Sequence, residues 1–218
     1  MRPPSARTPV SQRLAASKVI AVLRAPHANA LAPVCDVLVG EGILSLELTL
    51  TTPDLLGSLP EFVARYAGRA DVGVGTVRTP AEAALAIGAG ADYLVTPTMS
   101  LDVVELAVEA GVAVFPGGLT PTELAAGWDA GATAVKIFPA QTVGAGYLKH
   151  LHGPFPGLLA VPSGGIDLAA TREWLTAGAV AVSLGGPLLG DALNGGDPDQ
   201  LRARCRAVRQ VVDEVTYP

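Results

Sequence analysis

The sequence is poor in cysteine and charge and has no long apolar run, and each shortage excludes a class of protein. Cys35 and Cys205 lie far apart and lack metal-ligand spacing, so we expect buried free thiols in a reducing cytoplasm. Apolar runs are too short to cross a membrane, and the N-terminus lacks a hydrophobic signal core. The net charge of -5 argues against a nucleic-acid partner.

The composition is that of a folded globular protein. Half of the 218 residues are hydrophobic and only 16% are charged, which supports one sizeable core. We predict a disordered lead-in over residues 1–10, with Arg and Pro but no periodic pattern, followed by a single domain over residues 11–218.

Short β-branched apolar runs alternate with helical patterns along nearly the whole chain. The predicted strands are Val19–Arg24, Leu44–Leu50, Asp71–Val77, Tyr93–Pro97, Ala113–Gly117, Ala134–Pro139, Leu159–Pro162 and Ala181–Leu184. Eight such units predict a closed (β/α)8 TIM barrel. The alternative is an open doubly wound sheet, which usually carries a glycine-rich loop after its first strand, where this chain reads Arg24-Ala25-Pro26.

An internal repeat supports the strand count. An Ala-Gly-small triplet ends four of the helical stretches, at residues 89–91, 110–112, 130–132 and 177–179. Glycine at this position allows the positive φ of a helix C-cap, so we expect a tight turn into a strand after each triplet.

Lys136 is one of only three lysines and lies within an apolar strand. A buried ammonium group is costly, which leaves two interpretations. Lys136 forms a structural pair with a carboxylate, or it is an amine of lowered pKa that attacks a carbonyl. Strand alternation puts Glu47 on the face opposite its leucine neighbours, so in a barrel its carboxylate would share the interior with Lys136.

Two glycine pairs follow the seventh and eighth strands, where barrels build phosphate sites from backbone N–H groups. They are Gly164-Gly165, preceded by Ser163, and Gly185-Gly186; tight turns are the alternative explanation. His150 and His152 have the spacing of a strand-borne pair of metal ligands but no evident third ligand, so we predict no metal and no cofactor.

Residues 19–189 resemble the 2-keto-3-deoxy-6-phosphogluconate (KDPG) and 4-hydroxy-2-oxoglutarate (KHG) aldolases, including their phosphogalactonate relatives. Three motifs carry the resemblance: Gly73-Val74-Gly75-Thr76-Val77, Phe115-Pro116-Gly117 followed by Thr120-Pro121-Thr122-Glu123, and Val135-Lys136-Ile137-Phe138-Pro139-Ala140.

The resemblance implies a metal-free class I aldolase, a lyase of carbohydrate metabolism. Such an enzyme reversibly cleaves a 2-keto-3-deoxy sugar acid or 4-hydroxy-2-oxoglutarate to pyruvate and an aldehyde. The resemblance assigns Schiff-base formation to Lys136 and acid–base catalysis to Glu47. The implied substrate-binding residues are Arg24 and Thr76 for the carboxylate, Pro97 and Phe138 for the pocket wall, and Ser163, Gly164, Gly165 and Gly186 for a distal phosphate. It also implies a homotrimer.

The chain departs from the phosphogluconate pattern at two places. Thr51 stands where that branch often has a substrate-contacting arginine, whereas Arg24 matches the arginine of the galactonate relatives. Pro187 replaces a serine whose hydroxyl and N–H would contact phosphate. Two other functions are considered: a phosphate-binding barrel synthase or decarboxylase without a Schiff base, and a non-catalytic sugar-acid-binding barrel.

Overall fold

The computed structural model describes residues 7–216, and within them all eight predicted strands are present. The fifth is divided at Pro116, so nine strands are numbered here. They are β1 Val19–Leu23, β2 Ser45–Thr49, β3 Asp71–Gly75, β4 Tyr93–Val95, β5 Ala113–Phe115, β6 Gly117–Gly118, β7 Val135–Ile137, β8 Ala160–Pro162 and β9 Val182–Leu184.

Helices precede, connect and follow the strands. They are α1 Gln12–Ser17, α2 Leu31–Gly40, α3 Leu55–Tyr66, α4 Pro80–Gly88, α5 Leu101–Glu109, α6 Pro121–Asp129, α7 Gly146–His152, α8 Leu168–Thr176, α9 Gly186–Leu189 and α10 Pro198–Thr216. Short 3₁₀ turns lie at Ala28–Ala30, Ala140–Thr142 and Ala192–Asn194. Across residues 7–216, no helix has both the length and the apolar character needed to span a membrane.

Local sequence signals explain where several helices begin and end. Thr79 and Thr120 each form a capping box, with Glu82 and Glu123 respectively, and each is followed by a proline in the first turn. The glycines of the four repeated triplets all have positive φ, as predicted: Gly90, Gly111, Gly131 and Gly178. Helix α5 begins directly after Ser100, but the serine side chain makes no capping bond.

The strands form two parallel sheets. The six-stranded sheet has the order β5-β4-β3-β2-β1-β9, and the three-stranded sheet has the order β6-β7-β8. The sheets are linked at both edges: β5 continues through Pro116 into β6, and Ser163, directly after β8, pairs in parallel with Ser183 of β9. The fold is therefore α/β with parallel strands.

Alternate residues of the strands pack into two separate apolar clusters. Leu46, Leu48 and Val135 face the helices in the larger cluster. The inner cluster includes Tyr93 and Phe115 and is joined by Leu14 of α1, which closes the amino ends of the strands; its other buried members are Ile20, Val95, Ala134, Val161 and Ala181. This inner cluster separates the amino ends of the strands from the cavity at their carboxyl ends.

The lead-in predicted over residues 1–10 stays a prediction, because residues 1–6 lie outside the described part. Arg7 contacts the rest of the chain: its guanidinium group lies 3.4 Å from the Trp128 ring centroid and donates a hydrogen bond to the Trp128 carbonyl.

Candidate active site

A cavity of about 260 Å³ lies where the strands end, and it brings together every residue predicted from the sequence to be part of the site. Arg24, Thr76 and Ser163 directly follow the last residues of β1, β3 and β8. The full predicted set in its wall is Arg24, Glu47, Thr76, Pro97, Lys136, Phe138, Ser163, Gly164, Gly165 and Gly186.

Lys136 occupies the middle of β7, and only 8% of its surface is exposed. Its neighbours in register are Gly117 on one side and Val161 on the other. The Nζ atom lies 5.1 Å from the centroid of the Phe138 ring, a cation–π distance. Among the salt bridges of residues 7–216 none involves Lys136, so the structural-pair interpretation finds no support.

Glu47, in the middle of β2, is 1% exposed. Its Oε2 atom has no hydrogen-bond partner in the described part of the chain. Burial raises the pKa of this carboxyl group, and the positive charges of Lys136 and Arg24 oppose the rise without cancelling it. Such a rise moves the pKa of a carboxyl group in the direction that favours acid–base catalysis.

Glycines on β3 make room for the Glu47 carboxylate. A Cβ atom on Gly75 would lie 2.1 Å from Glu47 Oε1, and one on Gly73 would lie 2.2 Å from the Tyr93 ring. The next residue, Thr76, adopts φ +60°, which is strained for a β-branched residue. The Gly73–Thr76 segment therefore shapes the site through close backbone approach as well as through side chains.

Another part of the cavity wall is rich in glycine. Gly164 and Gly165 both have positive φ, and a Cβ atom on Gly164 would lie 3.1 Å from the Phe138 ring. Pro187 lies in this wall, in the first turn of α9, where it supplies no N–H group.

Several features of the wall were missed in the sequence or predicted wrongly. Ser183 of β9 lines the cavity, and the signal that could have found it is a lone hydroxyl within an apolar strand. His150 and His152 lie in helix α7, so their predicted placement on a strand was wrong. Residues 7–216 contain no cluster of three or more His, Cys, Asp or Glu side chains placed to hold a metal.

A second cavity, of about 480 Å³, is larger but shares no lining residue with the first. It is bounded by His27, Val34 and Val37 on one side and by Leu193 and Pro198 on the other. Its wall has neither a lysine nor a carboxylate, so the smaller cavity is the candidate for catalysis.

The family model for the KDPG and KHG aldolases matches residues 10–203. The chain belongs to this aldolase family. The resemblance seen in the three motifs is thus confirmed, as is the prediction of an enzyme of the lyase class.

Individual relatives are similar to this chain over most of their length. A 2-dehydro-3-deoxy-phosphogluconate aldolase from Dickeya dadantii (strain 3937) is 33% identical over 203 residues, covering 92% of this chain and 94% of that protein. A native KDPGal structure gives a TM-score of 0.86 at 28% identity, covering 92% and 96% of the two chains. A KDPG aldolase from Legionella pneumophila, with pyruvate captured at low pH as a covalent carbinolamine intermediate, gives 0.83 at 28% identity, covering 90% and 96%.

Proposed function

We propose that this chain is a class I pyruvate aldolase in which Lys136 forms the Schiff base. The observation that carries the proposal is the buried lysine without a carboxylate partner, sharing one cavity with a buried glutamate of raised pKa. The carbinolamine captured in the Legionella relative is the intermediate that such a lysine forms with pyruvate.

The reaction follows from these two groups. The Lys136 amine adds to the C2 carbonyl of a 2-keto-4-hydroxy acid, and loss of water from the carbinolamine gives the imine. Glu47 then takes the proton of the C4 hydroxyl, the C3–C4 bond breaks, and its electron pair moves into the imine to form an enamine while the aldehyde leaves. Protonation at C3 and hydrolysis release pyruvate and restore the free amine.

The remaining wall residues divide between the two ends of the substrate. Arg24 and Thr76 hold the carboxylate next to the keto group, and Pro97 and Phe138 line the carbon chain. Ser163, Gly164, Gly165 and Gly186 receive the distal end, a phosphate or hydroxyl group of the sugar acid. Candidate products are pyruvate with glyceraldehyde 3-phosphate, or with glyoxylate when the substrate is 4-hydroxy-2-oxoglutarate.

Pro187 bears on whether the substrate is phosphorylated. Because it removes an N–H group from the distal wall, we expect a smaller gain from phosphate than a serine there would give. The measurement is kcat/KM for matched 2-keto-3-deoxy acids with and without the 6-phosphate. A ratio near one indicates an unphosphorylated natural substrate, whereas a large ratio shows that the site binds phosphate without an N–H group at position 187.

We also propose that the two sheets form one closed (β/α)8 barrel. Their pairings make a ring of eight strands when β5 and β6 are counted as one. The register can be traced by starting at Glu47 and passing from each strand to its paired residue on the next. One complete circuit of the ring returns to β2, extended beyond its amino end, at a position eight residues before Glu47. A stagger of eight residues is the value for (β/α)8 barrels.

For the assembly and location we propose a cytoplasmic homotrimer. The location rests on Cys35 and Cys205, which are both buried free thiols. The trimer rests on the family resemblance, and sedimentation equilibrium tests it: a mass of about three chains supports it, whereas the mass of one chain contradicts it.

The Schiff base is tested by borohydride reduction in the presence of pyruvate, followed by peptide mass spectrometry. We expect one stable adduct, on Lys136, and none in Lys136→Ala. Lys18 and Lys149 serve as internal controls, because neither lines the cavity. An adduct that persists in Lys136→Ala, or none in the native enzyme, would contradict the mechanism.

A further inference from the structure

Ser183 has a buried hydroxyl group that no part of the mechanism above uses. It lies in the middle of β9 with 3% of its surface exposed, and it lines the cavity together with Lys136 and Glu47. Its Oγ atom has no hydrogen-bond partner within residues 7–216. A buried hydroxyl without a partner costs stability, and alanine would fit the same position without that cost.

The strand register shows what surrounds this hydroxyl. In a closed barrel, interior side chains form layers of four, contributed by alternate strands. With the stagger of eight residues, the layer that contains Lys136 and Glu47 is completed by Val95 and Ser183. Lys136 and Glu47 face each other across this layer, with Ser183 between them on one side and Val95 between them on the other.

The chemistry of the neighbouring atoms is complementary. Glu47 Oε2 is buried and unpartnered in the described chain, as Ser183 Oγ is. An ionised carboxylate only accepts hydrogen bonds, whereas a serine hydroxyl both donates and accepts. A water molecule can satisfy both atoms at once, donating to the carboxylate and accepting from the hydroxyl, provided it lies in the layer beside Lys136.

We propose that Ser183 is a positioning residue that holds, together with Glu47 Oε2, the water exchanged at the carbon bound to Lys136. In imine formation, protonated Glu47 gives its proton to the carbinolamine hydroxyl, the C–O bond breaks, and the leaving water is received between Glu47 and Ser183. In hydrolysis a water from solvent that occupies the same position attacks the imine carbon and returns a proton to Glu47. Ser183 keeps its proton throughout, and this role rests on the proposed Schiff-base function.

The test measures the water step directly. Pyruvate labelled with 18O at C2 loses its label through the carbinolamine, and mass spectrometry follows the enzyme-dependent loss. We expect Ser183→Ala to slow this exchange about tenfold, the effect of one lost hydrogen bond to a reacting water, with little change in the KM for pyruvate. Ser183→Thr, which keeps the hydroxyl, should restore most of the rate.

Ser45→Ala is the matched control. Ser45 is another buried serine on an inward-facing strand position, but its hydroxyl bonds to Asp71 and it lies outside the cavity wall. We expect this variant to exchange label at the native rate. A Ser183→Ala enzyme that exchanges as fast as the native one, or a Ser183→Thr enzyme as slow as Ser183→Ala, would overturn the proposal.

Thermal unfolding separates a positioning role from a structural one. Removing an unpartnered hydroxyl should leave the Tm of Ser183→Ala unchanged or raise it, so slower exchange cannot be attributed to a damaged fold. The exchange assay also separates this proposal from the Schiff-base mechanism. No exchange and no borohydride adduct in the native enzyme would contradict Lys136, whereas native exchange that is indifferent to Ser183 contradicts only Ser183.

Discussion

Buried polar groups at the amino ends and at the carboxyl ends of the strands differ in whether they have hydrogen-bond partners. At the amino ends of the strands, the Asp71 carboxylate accepts hydrogen bonds from Ser11 and from Arg13, the latter at 3.0 Å. Asp92 nearby accepts the backbone N–H of Val72 at 2.7 Å. At the carboxyl ends, Lys136 forms none of the ion pairs in residues 7–216, and Glu47 Oε2 and Ser183 Oγ have no partner there.

Under the proposed function, this difference separates groups that stabilise the fold from groups kept available for substrate. Hydrogen bonds to a paired carboxylate stabilise the folded state, whereas a buried carboxylate without a partner destabilises it. Such an unpartnered group is retained where chemistry requires it. Tyr93 is the exception: its hydroxyl is in the inner cluster and has no partner in the described chain. We therefore expect variants at the two ends to divide into those that lose activity and those that lose stability.

The largest effect should come from Glu47→Gln, which keeps the shape of the side chain and removes its charge. We expect kcat to fall about 10²- to 10⁴-fold, the usual contribution of a general acid–base group. The Tm at pH 7 should stay the same or rise, because a costly buried charge is lost. Steady-state kinetics and thermal unfolding measure the two effects. A variant that unfolds more readily and keeps its activity would remove the contrast between the two ends.

Asp71→Asn should give the reverse result. This side chain is 7% exposed, and the change weakens its pairing with Arg13 and with Ser11 at the N-cap of α1. We expect a loss of about 1–3 kcal/mol in the free energy of unfolding, the cost of a buried hydrogen-bonded charge pair. The kcat should stay within about twofold, which urea denaturation and kinetics on the same sample can check. A large fall in kcat with unchanged stability would show that the amino end also serves catalysis.

The pH dependence of stability sharpens the contrast at Glu47. Because burial raises the pKa of Glu47 above the ordinary 4.5, the folded state keeps the carboxyl proton up to a higher pH than the unfolded state does. The stability of the native enzyme relative to Glu47→Gln is therefore greatest below pH 4.5 and declines as the pH rises above that value. Urea unfolding of both proteins from pH 4 to pH 8 measures the difference. A relative stability that increases with pH would mean that Lys136 and Arg24 outweigh burial.

The smallest effect is expected from Asp213→Asn on α10, far from both ends. Asp213 accepts a hydrogen bond from Arg209 one turn earlier at 2.9 Å, and its side chain is 57% exposed. Exposed pairs of this kind contribute about 0.5 kcal/mol or less. The variant therefore provides a baseline for urea unfolding, and a loss as large as that of Asp71→Asn would mean that surface charge, not burial, governs these differences.

Much of this arrangement could be predicted from local sequence. Alternation in the strand of Glu47 and the apolar neighbours of Lys136 put both side chains in the interior, because period-two patterning is a property of each strand alone. Thr79 and Thr120 predicted where their helices begin, because a capping motif is also a local feature of the sequence.

What could not be predicted depends on how the strands align with each other. The position of Ser183 in the same cavity as Lys136 and Glu47 depends on the register between strands, and no single strand encodes it. The positive φ of Thr76 and the fit of Glu47 against Gly75 likewise arise from packing between strands. His150 and His152 were misplaced because their alternating pattern is too short to distinguish a strand from a helical turn.

The burial of Lys136 within its strand has a kinetic consequence under the proposed mechanism. Pyruvate would remain covalently attached to Lys136 when the carbon–carbon bond breaks, while the aldehyde would be free in the cavity at the carboxyl ends of the strands. The aldehyde should therefore leave first and pyruvate last, so pyruvate should inhibit cleavage competitively with the substrate. In the synthetic direction pyruvate would have to load before the aldehyde, an obligatory order imposed by a covalent bond to a side chain that cannot move out of the barrel interior.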